Sequence, residues 1–466
     1  MIQENIKPED FFNVSYFKDF YNRKLRHKKG GGIDRLTPQK FWLRYESELE
    51  DIAKKCLDGT YKFSYYKEKL VLKERNKFPR IIAVPTMRDR MVLGVLNEYL
   101  QALLPDMVCH DVPNQYLASL NAFLAEQNGD VSCFKTDFEH FYDSLDHLVL
   151  EMKLSMLVDC EMLHLIRSAI TTPILASKPT APNSVESSKK GVPQGLAISN
   201  ILASIYMSEF DEYFKNKQNS SFFYRRYVDD ILVVGNFKVA DYEKFFMEKI
   251  SEYDLRMTLS KDKTECCRVG ESDVDIDYIG YIIKNKYLIS IRPKNVQTFM
   301  RETIRLITLL KNQSKDMAMR PAFIKEDTTF YSYYKEVLNE QIAGFKLDGH
   351  LYGWLAYFQS MNDMQLLYSL DYIIHKKLLC HEDIPKSFEN GILHLPMVYW
   401  NIKKKSGSVL TNFDDIKTDS ARRVFLKKRG WIDRKVIYSE DKILYMFNAY
   451  KEHLKKIALS SIGSKY

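Results

Sequence analysis

The stretch Tyr224-Arg225-Arg226-Tyr227-Val228-Asp229-Asp230-Ile231-Leu232-Val233-Val234 sets two adjacent carboxylates between two apolar runs rich in aromatic and β-branched residues. Strand formers on both sides of a turn-tolerant pair predict a β-hairpin with its turn at Asp229-Asp230. Two negative charges at the tip of buried strands repel one another and destabilise the hairpin unless a cation, or an Arg or Lys, lies between them. A solvated turn is the ordinary explanation of an isolated Asp-Asp pair. A metal-binding explanation therefore depends on what the rest of the chain supplies.

The 466 residues suffice for a large core and several subdomains, and 45% hydrophobic with 13% aromatic content describes a folded protein. No run reaches the roughly 18 uninterrupted apolar residues of a membrane span. Met1-Ile2-Gln3-Glu4-Asn5-Ile6-Lys7 has no apolar signal core, which predicts a cytoplasmic protein without a membrane partner. The seven cysteines form no Cys-x-x-Cys pair and no His-rich cluster accompanies them, which argues against a zinc module or a disulfide framework. The net charge of +8 is unevenly spread: Arg23–Lys29, residues 291–320, and the tail around Lys403-Lys404-Lys405, Arg422-Arg423 and Lys427-Lys428-Arg429 are basic. Separate basic patches on a folded chain suit a polyanion, here nucleic acid.

Residues 1–29 predict a helical, charged lead-in, and Gly30-Gly31-Gly32-Ile33-Asp34-Arg35-Leu36-Thr37-Pro38 a loop opening the next helix. Leu70-Val71-Leu72 and Ile81-Ile82-Ala83-Val84 predict two strands around a basic tip that carries Lys73 and Arg80, followed by a helix with Val92, Val95, Leu96 and Tyr99 on one face. A basic tip facing a carboxylate cluster can hold a triphosphate. Val131–Asp137 predicts a short strand ending on a carboxylate, before the chain turns at Phe141-Tyr142 into helices over 147–170. Gly191-Val192-Pro193-Gln194-Gly195 predicts a tight loop where backbone can approach a ligand. Beyond the hairpin come a helix from Tyr242 to Tyr253, a strand-like Leu255–Leu259, and a loop containing Lys263-Thr264. A hairpin arm at Asp277–Ile283 follows, then a helix with Val296, Phe299, Met300, Ile304 and Ile307 on one face, and Gly353-Trp354-Leu355 in a further helical region.

Taken in order, these elements resemble the reverse transcriptases, specifically the bacterial branch related to group II introns, from about Gly30 to Phe358. Gly32–Thr37 resembles the N-terminal motif of that branch and Arg80–Arg90 its first fingers motif. Lys135-Thr136-Asp137 is similar to the first palm motif, Gly191–Gly195 to the second, and Tyr227-Val228-Asp229-Asp230 to the catalytic hairpin. Lys263-Thr264 and Ile279-Gly280-Tyr281 resemble the motifs after it, and Gly353-Trp354 a thumb signature.

The resemblance implies an α+β right-hand polymerase: an N-terminal helical and basic region at 1–60, fingers and a palm with an antiparallel sheet at 61–290, a helical thumb at 291–380, and a basic C-terminal extension at 381–466. It implies RNA-directed DNA synthesis from dNTPs with two divalent cations, Mg²⁺ or Mn²⁺, on an RNA template and a DNA or RNA primer. Carboxylate oxygens suit such hard ions. Asp137 and Asp229 are then the bridging ligands, the Phe138 carbonyl a further one, and Asp230 completes the site. Arg80 and Lys73 hold the triphosphate, Lys263 acts as acid to the pyrophosphate, Tyr142 gates the sugar, and Gln194 with Gly195 lies against the templating pair.

Departures narrow the branch. Asp111–Tyr116 lacks the Ser-x-Gly-x-Arg fingers signature, Ser199-Asn200 replaces the Ser-Pro of intron enzymes, no Cys- and His-rich nuclease module follows, and the thumb contains no Val-Thr-Gly. By elimination the chain is most similar to the defence-associated ("unknown group") bacterial reverse transcriptases, which implies an anti-phage role, a dedicated noncoding RNA as template, and compatibility with a homo-oligomer. An RNA-binding maturase or scaffold, and a template-independent polymerase primed on a protein hydroxyl, are the alternatives.

Overall fold

The structure is a computed structural model that describes residues 5–26, 28, 30–72, 78–107, 113–176, 189–269, 275–285, 287–320, 324, 326–404, 409–433 and 436–462. The chain divides into two units, Met1–His110 with Val131–Arg268, and Asp111–Asp130 with Val269–Tyr466.

Two sheets organise the first unit. β1 (Tyr66–Val71) and β2 (Arg80–Val84) pair antiparallel from Lys67 opposite Val84 to Val71 opposite Arg80, as the sequence predicts, and β4 (Ile174–Leu175) joins β1 in parallel. The second sheet comprises β3 (Val131–Asp137), β5 (Phe222–Tyr227), β6 (Asp230–Gly235) and β7 (Glu265–Val269), in the order β5-β6-β3-β7. β6 is buried at all six positions, which explains why Ile231–Val234 is a continuous apolar run and not an alternating one. Helices α4 (Ser199–Asn216) and α5 (Val239–Glu252) supply the aromatic side chains packed on this sheet: Phe246 lies 4.9 Å from Phe134 of β3, and Phe214 stacks at 4.9 Å on Tyr224 of β5.

Helix α1 (Met87–Leu103) runs through the core of this unit, with Val92, Val95, Leu96 and Tyr99 all buried. Thr86 caps it, accepting the Asp89 N–H, and the buried Asp89 carboxylate accepts hydrogen bonds from the Thr86 and Tyr61 hydroxyls at 2.7 and 2.9 Å. The glycine loop docks here: a Cβ on Gly32 would lie 2.6 Å from the Thr86 Cα, so only glycine lets the backbones approach this closely. Helices α2 (His147–Leu154) and α3 (Cys160–Thr171) fall where the sequence places them. Leu255–Leu259 does not form a strand. Arg256 takes a left-handed φ of 50° and pairs with both Asp254 and Asp146, which bends the segment, and Leu259 alone bridges to Phe138.

In the second unit, β8 (Ile276–Tyr278), β9 (Tyr281–Lys284) and β10 (Leu288–Ile291) form an antiparallel sheet. The β8–β9 turn is Ile279-Gly280, both at positive φ, as a two-residue hairpin requires. Helix α6 (Pro293–Lys315) buries Asn295, Phe299, Thr303, Ile307 and Leu310, whereas Ile304 is exposed, so its inner face is rotated from the predicted one. Asn295 is drawn inward because its side-chain N–H donates to the Gly280 carbonyl of the turn. Helix α7 (Asp327–Ala343) leads to a hairpin of β11 (Phe345–Leu347) and β12 (His350–Tyr352), which the sequence reading missed, and β13 (Thr411–Asn412) pairs with β11 in parallel. Helices α8 (Met364–Tyr372), α9 (Leu395–Lys403), α10 (Asp419–Lys428) and α11 (Glu440–Ile462) follow, and the helix Pro113–Glu126 also belongs to this unit. Phe345 and Leu347 share one apolar core with Phe413, Leu426, Phe447 and Tyr450 from the tail. Among the described residues no helix is long and apolar enough to cross a membrane.

Arg429, grouped by sequence with the basic tail, is buried instead. Its guanidinium lies 3.6 Å over the Phe425 ring, donates to Glu340 at 2.8 Å and to Glu336 at 3.0 Å, and the Tyr450 hydroxyl donates to Glu340 at 2.6 Å. Removing one partner of such a pair strands the other charge in the interior. Arg429→Met is therefore expected to lower unfolding free energy by about 3–5 kcal/mol in a urea titration; a loss under about 1 kcal/mol, the scale of an exposed pair, would show the network to be dispensable.

Candidate active site

The strand register brings the predicted carboxylates together. In the β3–β6 ladder Asp137 stands directly opposite Asp230. Directly opposed residues point to the same face with Cβ atoms about 5 Å apart. Asp137 is buried (2% exposed), Asp230 is 9% exposed and Asp229 is half-buried. On its other edge Asp230 opposes Tyr227, so the hairpin turn is Val228-Asp229, one residue earlier than the sequence predicts. The reason is that β6 is an inner strand: Asp230 is held in the ladder from both sides, and the reversal must be completed before it.

That turn is strained and propped. Val228 sits at φ 56°, a region that β-branched residues avoid, at a cost of order 1–3 kcal/mol. Arg226 holds it: Nη1 donates to the Val228 carbonyl at 2.8 Å, while Nε donates to both Asp211 carboxylate oxygens and Nη2 to Oδ2, at 2.5–3.1 Å. The Tyr224 hydroxyl donates to Asp211 Oδ1 at 2.6 Å. Both charged side chains are about one-tenth exposed. The Asp229 carbonyl accepts the Phe138 N–H at 3.3 Å, which fixes the turn against the end of β3. Neither Arg226 nor Asp211 was foreseen. The available signal was an Asp between Phe210 and Phe214 on an otherwise apolar helix face.

Lys263, in a one-turn helix at Lys261–Lys263, places its ammonium on Asp137 Oδ2. Main-chain and side-chain bonds anchor this segment: Ser260 N–H donates to the Asp137 carbonyl at 2.8 Å, and the Thr136 and Thr264 hydroxyls are 2.8 Å apart. The lysine charge marks where a cation stabilises the carboxylate cluster. Asp137 and Asp230, paired across the ladder, are carboxylates of the kind that suits a hard ion such as Mg²⁺ or Mn²⁺, and Asp229 lies in the adjoining turn.

Tyr142 is half-buried beside this group, and its hydroxyl donates to Asn200 Oδ1 at 2.5 Å. Burial and then the Asp229 charge push its pKa up to about 12, against the opposing charges of Arg226 and Arg80. The Gly-Pro-Gln-Gly loop is held from two sides: Val192 N–H donates to the Tyr142 carbonyl at 2.9 Å, and the Gln194 carbonyl accepts the Ala83 N–H at 2.7 Å. Gly195 has φ 105°, and a Cβ there would lie 2.7 Å from Ile82 Cγ2. Arg80 begins β2, exposed, and its charge acts on the Tyr142 hydroxyl. Lys73 lies outside the described residues. Beside Gly195 opens a cleft of about 990 Å³ whose lining mixes apolar side chains with the cations Lys24, Lys28, Lys67, Lys69 and Arg90 and the carboxylates Glu68 and Glu98.

The mixed helix-and-sheet architecture is that of the reverse transcriptase fold. Residues 71–283 match the family described as "Reverse transcriptase (RNA-dependent DNA polymerase)". Group II intron-encoded protein LtrA of Lactococcus lactis subsp. cremoris is 24% identical over 211 residues, 44% of this chain and 33% of that protein, so the chain spans a third of the length of the curated relative it matches. Among solved structures, telomerase from Candida albicans in complex with a fragment of telomeric RNA aligns at TM-score 0.42 and 14% identity over 90% of this chain and 68% of that one. Apo telomerase from Candida tropicalis aligns at TM-score 0.42 and 14% identity over 92% and 78%.

Two expectations follow from the geometry. Arg226→Ala frees the strained turn and leaves Asp211 with the Tyr224 hydroxyl but without its cation; nucleotide incorporation should fall about 100-fold, as for a misplacement of about 1 Å, with Arg226→Lys intermediate, and equal rates for all three proteins would remove Arg226 from turn support. The Tyr142 phenol, raised above its unfolded value of 10, contributes stability fully below pH 10 and loses it as pH rises through about 12. Between pH 7 and 9 the pH–rate profiles of the wild type and Tyr142→Phe should therefore have the same shape; a limb present only in the wild type would show that Tyr142 ionises there.

Proposed function

We propose that the protein is an RNA-directed DNA polymerase that adds dNTPs to a primer 3′ end on an RNA template. The observation that carries this reading is the register pairing of Asp137 with Asp230, with Asp229 in the adjoining turn and Lys263 on Asp137. Two divalent cations, Mg²⁺ or Mn²⁺, bound by Asp137, Asp229, Asp230 and the Phe138 carbonyl would supply neutralisation of the transferring phosphoryl group and activation of the primer oxygen. The new bond joins the primer 3′-oxygen to the α-phosphorus as pyrophosphate leaves. Lys263 donates the proton to pyrophosphate, Arg80 and Lys73 hold the triphosphate, Tyr142 lies under the sugar and disfavours a 2′-hydroxyl, and Gln194 with Gly195 supports the templating pair. Residues 1–60 are the N-terminal region, 61–290 fingers and palm, 291–380 the thumb and 381–466 an extension. The cleft with Lys24, Lys28, Lys67 and Lys69 suits a phosphate backbone entering beside Gly195. Within the family, the resemblance favours a defence-associated enzyme with a dedicated noncoding RNA template.

With Asp229→Asn/Asp230→Asn, labelled dNTP incorporation on a primed RNA template should drop to background while the thermal melt is unchanged; undiminished incorporation would overturn the assignment. Tyr142→Ala should admit ribonucleotides, with discrimination against rNTPs falling by at least tenfold in competition assays. Unchanged sugar selectivity would remove Tyr142 from the gate.

A further inference from the structure

We propose that the second unit holds a divalent transition-metal ion, of the Zn²⁺ class, on Asp371, His375 and His394, a ligand set that shares no residue with Asp137, Asp229 and Asp230. One ligand atom from each of the three side chains lies within 4.8 Å of the other two. Asp371 closes α8, and His375 follows one turn later, within a π-helical turn spanning Ile373–Leu379. Such widened turns are uncommon and concentrate at functional positions. His394 comes from the residue that leads into α9.

The spacing fits an ion. Asp371 Oδ2 is 2.8 Å from His394 Nδ1, and Asp371 Oδ1 is 3.8 Å from His375 Nε2. Zinc bonds of about 2.0–2.1 Å in a tetrahedron set ligand atoms about 3.3 Å apart, a value between those two separations. The imidazole rings stack with centroids 3.9 Å apart and planes 20° from parallel, which brings both within reach of one ion. The His375 side chain is 5% exposed, and its ring makes one hydrogen bond among the described residues, at 3.3 Å to the Leu393 carbonyl.

A plain hydrogen-bonded tie would need less. Asp371 Oδ1 already accepts the Leu395 N–H at 2.8 Å, which alone fastens the loop to α8. A second, buried histidine facing the same carboxylate adds little to that tie and completes a three-ligand set with a fourth position for water. The Asp and two His are donors of the kind zinc accepts, unlike the paired carboxylates Asp137 and Asp230. Sequence reading could not find the site, because Asp371, His375 and His394 form no compact motif.

The test uses the full chain, stripped with chelator, dialysed against Zn²⁺ and assayed by elemental mass spectrometry, with Co²⁺ absorption reporting geometry. One zinc per chain is expected in the wild type and equally in Asp229→Asn/Asp230→Asn, which excludes the polymerase carboxylates as its ligands. His394→Ala, at an exposed position, should weaken zinc at least tenfold and abolish the tetrahedral Co²⁺ bands without unfolding the protein; His375→Ala should do the same where it folds. Substoichiometric zinc in the wild type, or undiminished zinc in His394→Ala, would overturn the proposal and leave Asp371 as a hydrogen-bonding tie.

Discussion

Two carboxylates held opposite one another at one end of a sheet, Asp137 and Asp230, repel one another, and the ladder of the first unit holds them there. Asp137 and Asp230 are opposed by register, so neither can move away without breaking the ladder that positions both. An opposing charge comes from Lys263, whose ammonium lies on Asp137. The strain of Val228 is offset by the Arg226–Asp211 clamp, anchored on α4, so the apolar packing of that helix on the sheet is transmitted to the turn. Backbone strain at such a place persists only where surrounding contacts over-determine it.

The rest of the site hangs on the same frame. Tyr142 reaches Asn200 at the start of α4 and, through its carbonyl, the Gly-Pro-Gln-Gly loop; that loop in turn bonds β2, whose first residue is Arg80. Side chains expected at the sugar, the triphosphate and the templating base are thus linked by short hydrogen bonds through main chain rather than by long flexible contacts. Asn200, a departure from the intron-type sequence, is the partner of the Tyr142 hydroxyl.

Elements whose residues carry a strong local pattern were readable from sequence: β3, the β5–β6 hairpin, the β1–β2 pair and α1 all lie where apolar run, alternation or helical spacing put them. What escaped was set by tertiary partners. The turn shifted by one residue because Asp230 pairs on both sides. The inner face of α6 rotated because buried Asn295 meets Gly280, a preference that hydrophobic spacing cannot express. Arg226 and Asp211 lie 15 residues apart and form a pair only once α4 lies on the sheet. In the tail, a run that looked like basic surface includes Arg429, which is interior and matched by Glu340. Charge counted along a chain says little about which charges reach solvent.

On the proposed assignment, Asp137 and the Asp229-Asp230 turn form one metal centre. Mn²⁺ binding followed by electron paramagnetic resonance, with an RNA template, a 3′-deoxy-terminated primer and the matching dNTP, tests it most directly. The ions taken up only when dNTP is added should be present in the wild type and lost both in Asp137→Asn and in Asp229→Asn. Retention of dNTP-dependent Mn²⁺ in either variant would contradict a single centre.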